Sequence, residues 1–193
     1  MTLLNKNFEN QTFKDIPCST EDMNHGEFSH CNFKKCDFSG YNFSGTTFAD
    51  CSFVDCNLSN IKVNNASFQN VLFENCKILG IVFSTVDPLL ITWVYKKCNI
   101  SFCDFSNLDM KESQFLSCDI TESDFIKANL TGSDFSESSL ALCKFQNTNL
   151  EKVNFVGARN YYINPVNNKL KHAKFSYPEV LSLLDDFGIK VEY

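Results

Sequence analysis

The sequence predicts an all-β solenoid assembled from five-residue repeats, and three observations predict it. The first is spacing. In "CNFKKCDFSGYNFSGTTFADCSFVDC", residues 31–56, Phe33, Phe38, Phe43, Phe48 and Phe53 recur every five positions, a period that neither a helix nor a strand produces. The second is extent, because seventeen of the 20 phenylalanines fall at centres of this repeat. The third is the residue two places before each large one, which is nearly always small. Each unit therefore turns one large and one small side chain inward and leaves three outward.

The frame begins at Phe8, Phe13, Met23 and Phe28, and after Phe53 it continues through Leu58, Val63, Phe68, Phe73, Ile78 and Phe83. It resumes at Ile100, Phe105, Met110, Phe115, Ile120 and Phe125, and runs on through Leu130, Phe135, Leu140, Phe145 and Leu150 to Phe155. In this second block the small position holds Cys98, Cys103, Ser113, Cys118, Ser123 and Ala128, with Leu108 the large exception. The last outward position carries turn formers, among them Gly40, Gly45, Asp50, Asp55, Asn60, Asn65, Asn70, Asn75 and Gly80. Such residues supply the tight bend that must end a five-residue side.

Nine of the 10 cysteines lie two residues before a repeat centre; Cys18 is the exception. That placement makes them small buried apolar residues of the repeat, as thiols can be in a reducing compartment. There is no CxxC pair, and His25, His30 and His172 stand at no metal-ligand spacing to them, so no metal site and no cofactor are expected.

"CDFSG", "YNFSG", "ANLTG" and "SDFSE" resemble the unit of the pentapeptide repeat family, and the resemblance covers residues 5–158. It implies a right-handed quadrilateral β-helix, four pentapeptides to a coil, in which residue n stacks on residue n+20. Phe33, Phe53, Phe73 and Trp93 would then form one ladder, Phe105, Phe125 and Phe145 another, and Phe115, Phe135 and Phe155 a third. Roughly seven coils at about 4.8 Å each predict a rod about 30–35 Å tall. Cys36, Cys56 and Cys76 would stack too, but wider than a disulfide allows, and are expected to be free thiols.

Between Phe83 and Ile100 lie two residues more than the register needs, and Pro88 interrupts the backbone hydrogen bonding over about 84–99. Keeping Trp93 on its ladder, with Ile91 in the small position, places the extra residues among Val94 to Lys97; the alternative places them before Leu90. The segment reads either as a bulge or as a projecting contact loop carrying Leu89, Leu90, Trp93, Tyr95, Lys96 and Lys97.

Residues 1–158 are expected to be the solenoid and residues 159–193 a C-terminal cap. Ser176 and Glu179 suggest a capping box, Pro178 a first turn, Val180, Leu181, Leu184 and Phe187 an apolar helix face, and Gly188 a stop. Ile189 and Val191 then alternate with Lys190 and Glu192 as a short strand. A solenoid has to cover its last coil. This segment either only caps, or also builds a two-fold homodimer through Val180, Leu184, Phe187, Ile189 and Val191.

No nucleophile elbow, phosphate loop or paired His and carboxylate motif occurs, and a rod packed with Phe offers no substrate cavity, so neither catalysis nor a small-molecule substrate is expected. No apolar run is long enough to span a bilayer and the first residues lack the features of a signal peptide, which points to the cytoplasm and away from membranes. Residues 1–158 carry a net charge of −7 and residues 159–193 a net of +1, a sign that disfavours direct binding of nucleic acid. An acidic rod would instead attract a basic DNA-binding groove, through Asp104, Asp109, Glu112, Asp119, Glu122, Asp124 and Asp134. Lys111, Lys127, Lys144 and Lys152 interrupt these acids, and the plainer reading is a solvated surface.

The broken register, together with "INPVNNKLKHAKFSYPEVLSLLDDFGIKV", resembles the microcin-immunity and quinolone-resistance branch of the family, although the disruption is shorter than the long loops of many such members. Proteins of that branch are dimeric and act on DNA gyrase and topoisomerase IV, protecting them from toxins or drugs. The resemblance implies a type II topoisomerase as partner, the C-terminal residues as dimer element and Leu89 to Lys97 as a projecting loop. The other expectation is an interaction module with a different protein partner, its acidity serving only solubility.

Overall fold

The computed structural model describes residues 7–17, 25–189, 191 and 192. The repeat centre Met23, the off-frame Cys18 and Lys190 of the expected terminal strand lie outside the described residues. A chain that must bring a large side chain inward every fifth residue has to bend between units. The bend is a left-handed residue: Gly40, Gly45 and Gly80 have φ of 66–73°, and the Asp and Asn corners from Asp50 to Asn75 have φ of 51–56°. Glycine meets no Cβ penalty there, and Asn and Asp tolerate the conformation better than other residues.

Four such bends close a coil, and successive coils pair in parallel at an offset of 20, as in Phe8↔Phe28↔Phe48↔Phe68 and Phe13↔Phe33↔Phe53↔Phe73. The result is the expected right-handed quadrilateral β-helix, of about 8 turns where roughly seven were expected. One face carries a four-stranded sheet, Asn7–Glu9, Glu27–Ser29, Thr47–Ala49 and Ser67–Gln69. The next carries six strands, Thr12–Lys14, Asn32–Lys34, Ser52–Val54, Val71–Glu74, Trp93–Lys96 and Gln114–Leu116. The third pairs Lys77–Leu79, Asn99–Ser101, Asp119–Thr121 and Ser139–Ala141, and the fourth is held by isolated bridges such as Asn42↔Lys62 and Asp104↔Asp124. No helix among the described residues is long and apolar enough to cross a membrane.

On the second face one aromatic stack runs the length of the rod, Phe13, Phe33, Phe53, Phe73, Tyr95, Phe115, Phe135, Phe155 and Phe175. Its centroids are 4.6–5.4 Å apart and its planes within 14° of parallel. Rings of the other faces meet it edge-on, as Phe115 meets Phe125 of the opposite face at 5.8 Å and 89°, so both favoured aromatic geometries are used. The nine described cysteines fill the small positions as free buried thiols, and several donate to a carbonyl of the preceding coil, Cys76 Sγ to Phe53 O at 3.3 Å among them. Burial pushes Cys51 and Cys103 up to about 11 and Cys143 up to about 12, which leaves these thiols protonated and unreactive at neutral pH.

The stack corrects the expected register. Tyr95, not Trp93, lies between Phe73 and Phe115, so that coil has 22 residues. Thr85 still keeps the 20-residue offset to Asn65, whose N–H it accepts at 2.8 Å, while Trp93 already pairs with Val71. The extra residues therefore lie among residues 86–92 and not among Val94 to Lys97. Leu90, which would be the large residue of the first face, turns outward with φ 56° and is 73% exposed. Trp93 fills the space it leaves, edge-on to Phe68 at 6.2 Å, with its indole N–H donating to Phe68 O at 2.8 Å.

At the C-terminal end stacking continues past residue 158, through Asn154–Phe155 paired with Lys174–Phe175. The helix that follows, Glu179–Phe187, is a 3₁₀ helix. No side chain caps it; the Ser176 hydroxyl instead accepts the Gly157 N–H at 3.0 Å. With three residues per turn, it is Leu183 that packs against the core, outside the face expected from a 3.6-residue period. Gly188, with φ 62°, stops the helix, its N–H reaching Asp185 O at 3.2 Å. Residues 189, 191 and 192 form no strand.

Tyr95 is fully buried and its hydroxyl has no hydrogen-bond partner. An unmet buried polar group costs about 1–3 kcal/mol, and every other ring of the stack is Phe. Tyr95→Phe is expected to stabilise the fold by about 1 kcal/mol or more, measured as a higher urea midpoint at unchanged slope; a lower midpoint would show that the hydroxyl is satisfied.

Candidate partner-binding surfaces

Outward positions stack as strictly as inward ones, so acidic residues meet only at intervals of one coil. Asp104 and Asp124 do so on the fourth face. Asp109 lies on the first face, Asp134 on the second and Asp119 on the third. Glu112 and Glu122 occupy left-handed corners after the first and third faces, with φ of 59° and 48°. Carboxylates five residues apart in sequence thus fall on successive sides, and the seven form no single stripe. The column containing the stacked pair reads Asn42, Lys62, Val82, Asp104, Asp124, Lys144: two carboxylates, then a lysine.

That pair is nonetheless held firmly. Asp104 accepts the Ser84 hydroxyl at 2.6 Å and the Ser106 N–H at 2.9 Å, and Lys144 Nζ reaches Asp124 at 3.0 Å. Lys111 pairs with Asp109 at 2.9 Å, and the Asn154 amide donates to Asp134 at 3.1 Å. Glu112, Asp119 and Glu122 are exposed.

The interrupted coil presents Leu89, Leu90, Lys96 and Lys97 to solvent. Trp93 and Tyr95, expected in a contact loop, are fully buried core residues, because the coil's register puts both on inward positions. At the C-terminal end Val180 and Leu184 are half-buried, whereas Phe187, Ile189 and Val191 are exposed.

Sequence reasoning missed a second apolar feature. Phe102 and Leu142 are corner residues after the third face, two coils apart with Glu122 between them, 56% and 72% exposed, with φ of 54° and 58°. Bulky residues are disfavoured there, so the corner holds two apolar groups where local preference asks for Asn or Gly. The signal in the sequence was Phe102 standing off the repeat frame. No group of three or more His, Cys, Asp or Glu among the described residues could hold a metal ion.

Partial burial tends to raise the Asp104 pKa, but hydrogen bonds from Ser106 and Ser84 outweigh it and hold the carboxyl below its ordinary 3.8. A carboxyl lowered by folding stabilises the native state above the unfolded pKa, and that contribution is lost as pH falls through the lower folded value. Asp104→Asn is therefore expected to reduce stability at pH 7 and to narrow its gap to the parent as pH drops below about 4; a gap of constant size in denaturant titrations across that range would refute it.

The coil path has known counterparts. A family model described as "Pentapeptide repeat region" matches residues 26–88, and one described as "Pentapeptide repeats (8 copies)" matches residues 98–137. Together they take in just over half of the 193 residues. No curated protein matches the chain. Two solved structures of QnrB1, trypsin-treated variants of what is described as a plasmid-mediated fluoroquinolone resistance protein, superpose with TM-scores of 0.63 and 0.62 at 17% and 18% identity. The alignments cover 96% and 94% of this chain and 100% and 99% of those chains, and at such identity the likeness is one of fold. With family models matching on both sides of the 22-residue coil, this chain belongs to the pentapeptide repeat family.

Proposed function

We propose that this protein is a non-enzymatic interaction module of the cytoplasm that binds a type II DNA topoisomerase and modulates it or protects it from a toxin or quinolone. The observation that carries the proposal is the preset Asp104 and Asp124 pair on a rod whose first 158 residues have a net charge of −7. Carboxylates fixed one rung apart, about 4.8 Å, one of them paired with Lys144, offer a basic DNA-binding groove a preset anionic contact at little ordering cost. Each strand of a duplex carries one phosphate per about 3.4 Å along its whole length, whereas this column stops after two. The contact is a short acidic ledge, aided by carboxylates on adjoining faces, rather than a full-length imitation of DNA. The likeness in fold to QnrB1, itself described as a fluoroquinolone resistance protein, is consistent with this reading.

The exposed Phe102 and Leu142 corner favours a second reading, in which the module docks through apolar groups onto another protein and the acids serve solubility. Gyrase supercoiling, with and without a fluoroquinolone, separates the two. The parent protein is expected to inhibit or protect, and Asp104→Asn with Asp124→Asn to weaken the effect by about tenfold. Loss of the effect in Phe102→Asn with Leu142→Asn, but not in the aspartate variant, would move the contact to the corner. No effect of folded parent protein would reject the topoisomerase.

We also propose a homodimer through the C-terminal end, where Phe187, Ile189 and Val191 are exposed together. Sedimentation is expected to show twice the 22.0 kDa chain mass, and Phe187→Ser with Ile189→Ser to return it to monomer; a monomeric parent at micromolar concentration would sink the proposal.

A further inference from the structure

Charge is distributed unevenly along the rod. Residues 1–151 carry a net charge of −8, whereas residues 152–178 contain Lys152, Arg159, Lys169, Lys171 and Lys174, no Asp or Glu, and a net of +5. The negative sign that disfavours nucleic acid is an average over the coils, and the last coil inverts it.

Coil geometry gathers four of these five charges on one edge; Arg159 stays apart on the third face, above Ser139. Leu170 packs inward against the core, so Lys169 and Lys171 on either side of it both project from the first face, two residues and about 6–7 Å apart. Lys152 and His172 are the left-handed corners that follow, with φ of 60° and 63°, stacked one rung apart. Lys174 comes next on the second face, where it pairs with Asn154, and Tyr177, 66% exposed, follows three residues on. Lys152, Lys169, Lys171, His172 and Lys174 are all exposed, and none joins an ion pair among the described residues. The carboxylate beneath this run is Glu151, half-buried one rung below Lys171. At the opposite end of the run a groove of about 220 Å³ opens beside Lys169, with the exposed amides of Asn147 and Asn167 in its lining.

The partner that fits is a linear polyanion able to bend. The ammonium groups lie on two faces that meet at a corner, so a flat anionic bilayer would meet only part of them. Rings are interleaved with the charges, His172 between Lys171 and Lys174 and Tyr177 beyond. Planar bases stack on such rings, which is how single strands are held without sequence preference, and a carboxylate side chain has no such face to offer. We propose that this edge of the last coil binds a single strand of nucleic acid. Lys152, Lys169, Lys171 and Lys174 hold its phosphates, the Asn147 and Asn167 amides donate to a phosphate at the groove, and His172 and Tyr177 stack with its bases. The inference does not rest on the topoisomerase reading, whose Asp104 and Asp124 lie on the fourth face.

The probe is a fluorescein-labelled oligothymidine of about 15 nucleotides, followed by anisotropy as the full chain is added. At about 50 mM salt the dissociation constant is expected on the order of 10–100 μM, and its logarithmic salt slope near −3, from four phosphates at about −0.7 each. Lys169→Gln with Lys171→Gln should weaken binding by about tenfold and bring the slope to about −1.4. Tyr177→Ala should weaken it by about fivefold or more at an unchanged slope, a split that loss of charge or of structure would not give; thermal melting checks that each variant is folded. Lys96→Gln with Lys97→Gln makes the same charge change four rungs away and should alter binding by less than about twofold. The proposal is overturned if no anisotropy change appears up to about 500 μM protein, or if the two lysine pairs weaken binding alike. Poly-glutamate competing as well as unlabelled oligothymidine at equal charge would make the partner an acidic peptide, and sedimentation with phosphatidylserine vesicles in the absence of oligonucleotide binding would make it a membrane; either result also overturns it.

Discussion

Parallel stacking at an offset of 20 residues is the constraint on which the rest of this structure depends. It sets backbone N–H groups against carbonyls of the adjoining coils, as in Phe38 N–H to Asn57 O at 2.8 Å and Asn57 N–H to Cys36 O at 3.0 Å, and it sets each side chain above its counterpart one coil earlier. Inward, that yields a continuous ring stack. Outward, it yields hydrogen-bonded columns, such as the Asn57 amide on Asp37 at 3.0 Å and the Asn70 amide on Asp50 at 2.6 Å. Every rung has two neighbours, so a poor fit is felt mainly by them, as expected of a quasi-one-dimensional fold.

The interrupted coil shows how such a fold absorbs an insertion. Two extra residues cannot be spread over a coil, because shifting a strand by one residue would exchange its inward and outward faces. They are gathered at one place, beside Pro88, and the following strand regains pairing at Trp93 and Val71. One side chain then leaves the core and another enters: Leu90 outward, Trp93 inward. The aromatic stack of the neighbouring face passes through that coil intact, with Tyr95 at 4.8 Å from both Phe73 and Phe115.

The surfaces follow from the same arithmetic. Charges spaced by five residues are dealt to successive sides, and only a 20-residue spacing builds density on one side. This is why an acid-rich stretch of sequence becomes a two-carboxylate ledge with scattered companions. Where the regular coil ends, other rules apply: the 3₁₀ helix lies over the last coil through Leu183.

The five-residue period, the small and large inward pair and the Asn, Asp and Gly corners determined the coil, its core and its free thiols from sequence alone, because each is a local requirement repeated many times. The stacking of Asp104 on Asp124 was legible for the same reason. What only the tertiary structure decided were the non-repeating places. Trp93 and Tyr95 each suited an inward position, and the choice between them rested on which ring could continue the stack from Phe73 to Phe115. The seating of the C-terminal 3₁₀ helix through Leu183 depends on contacts between segments that no local period encodes.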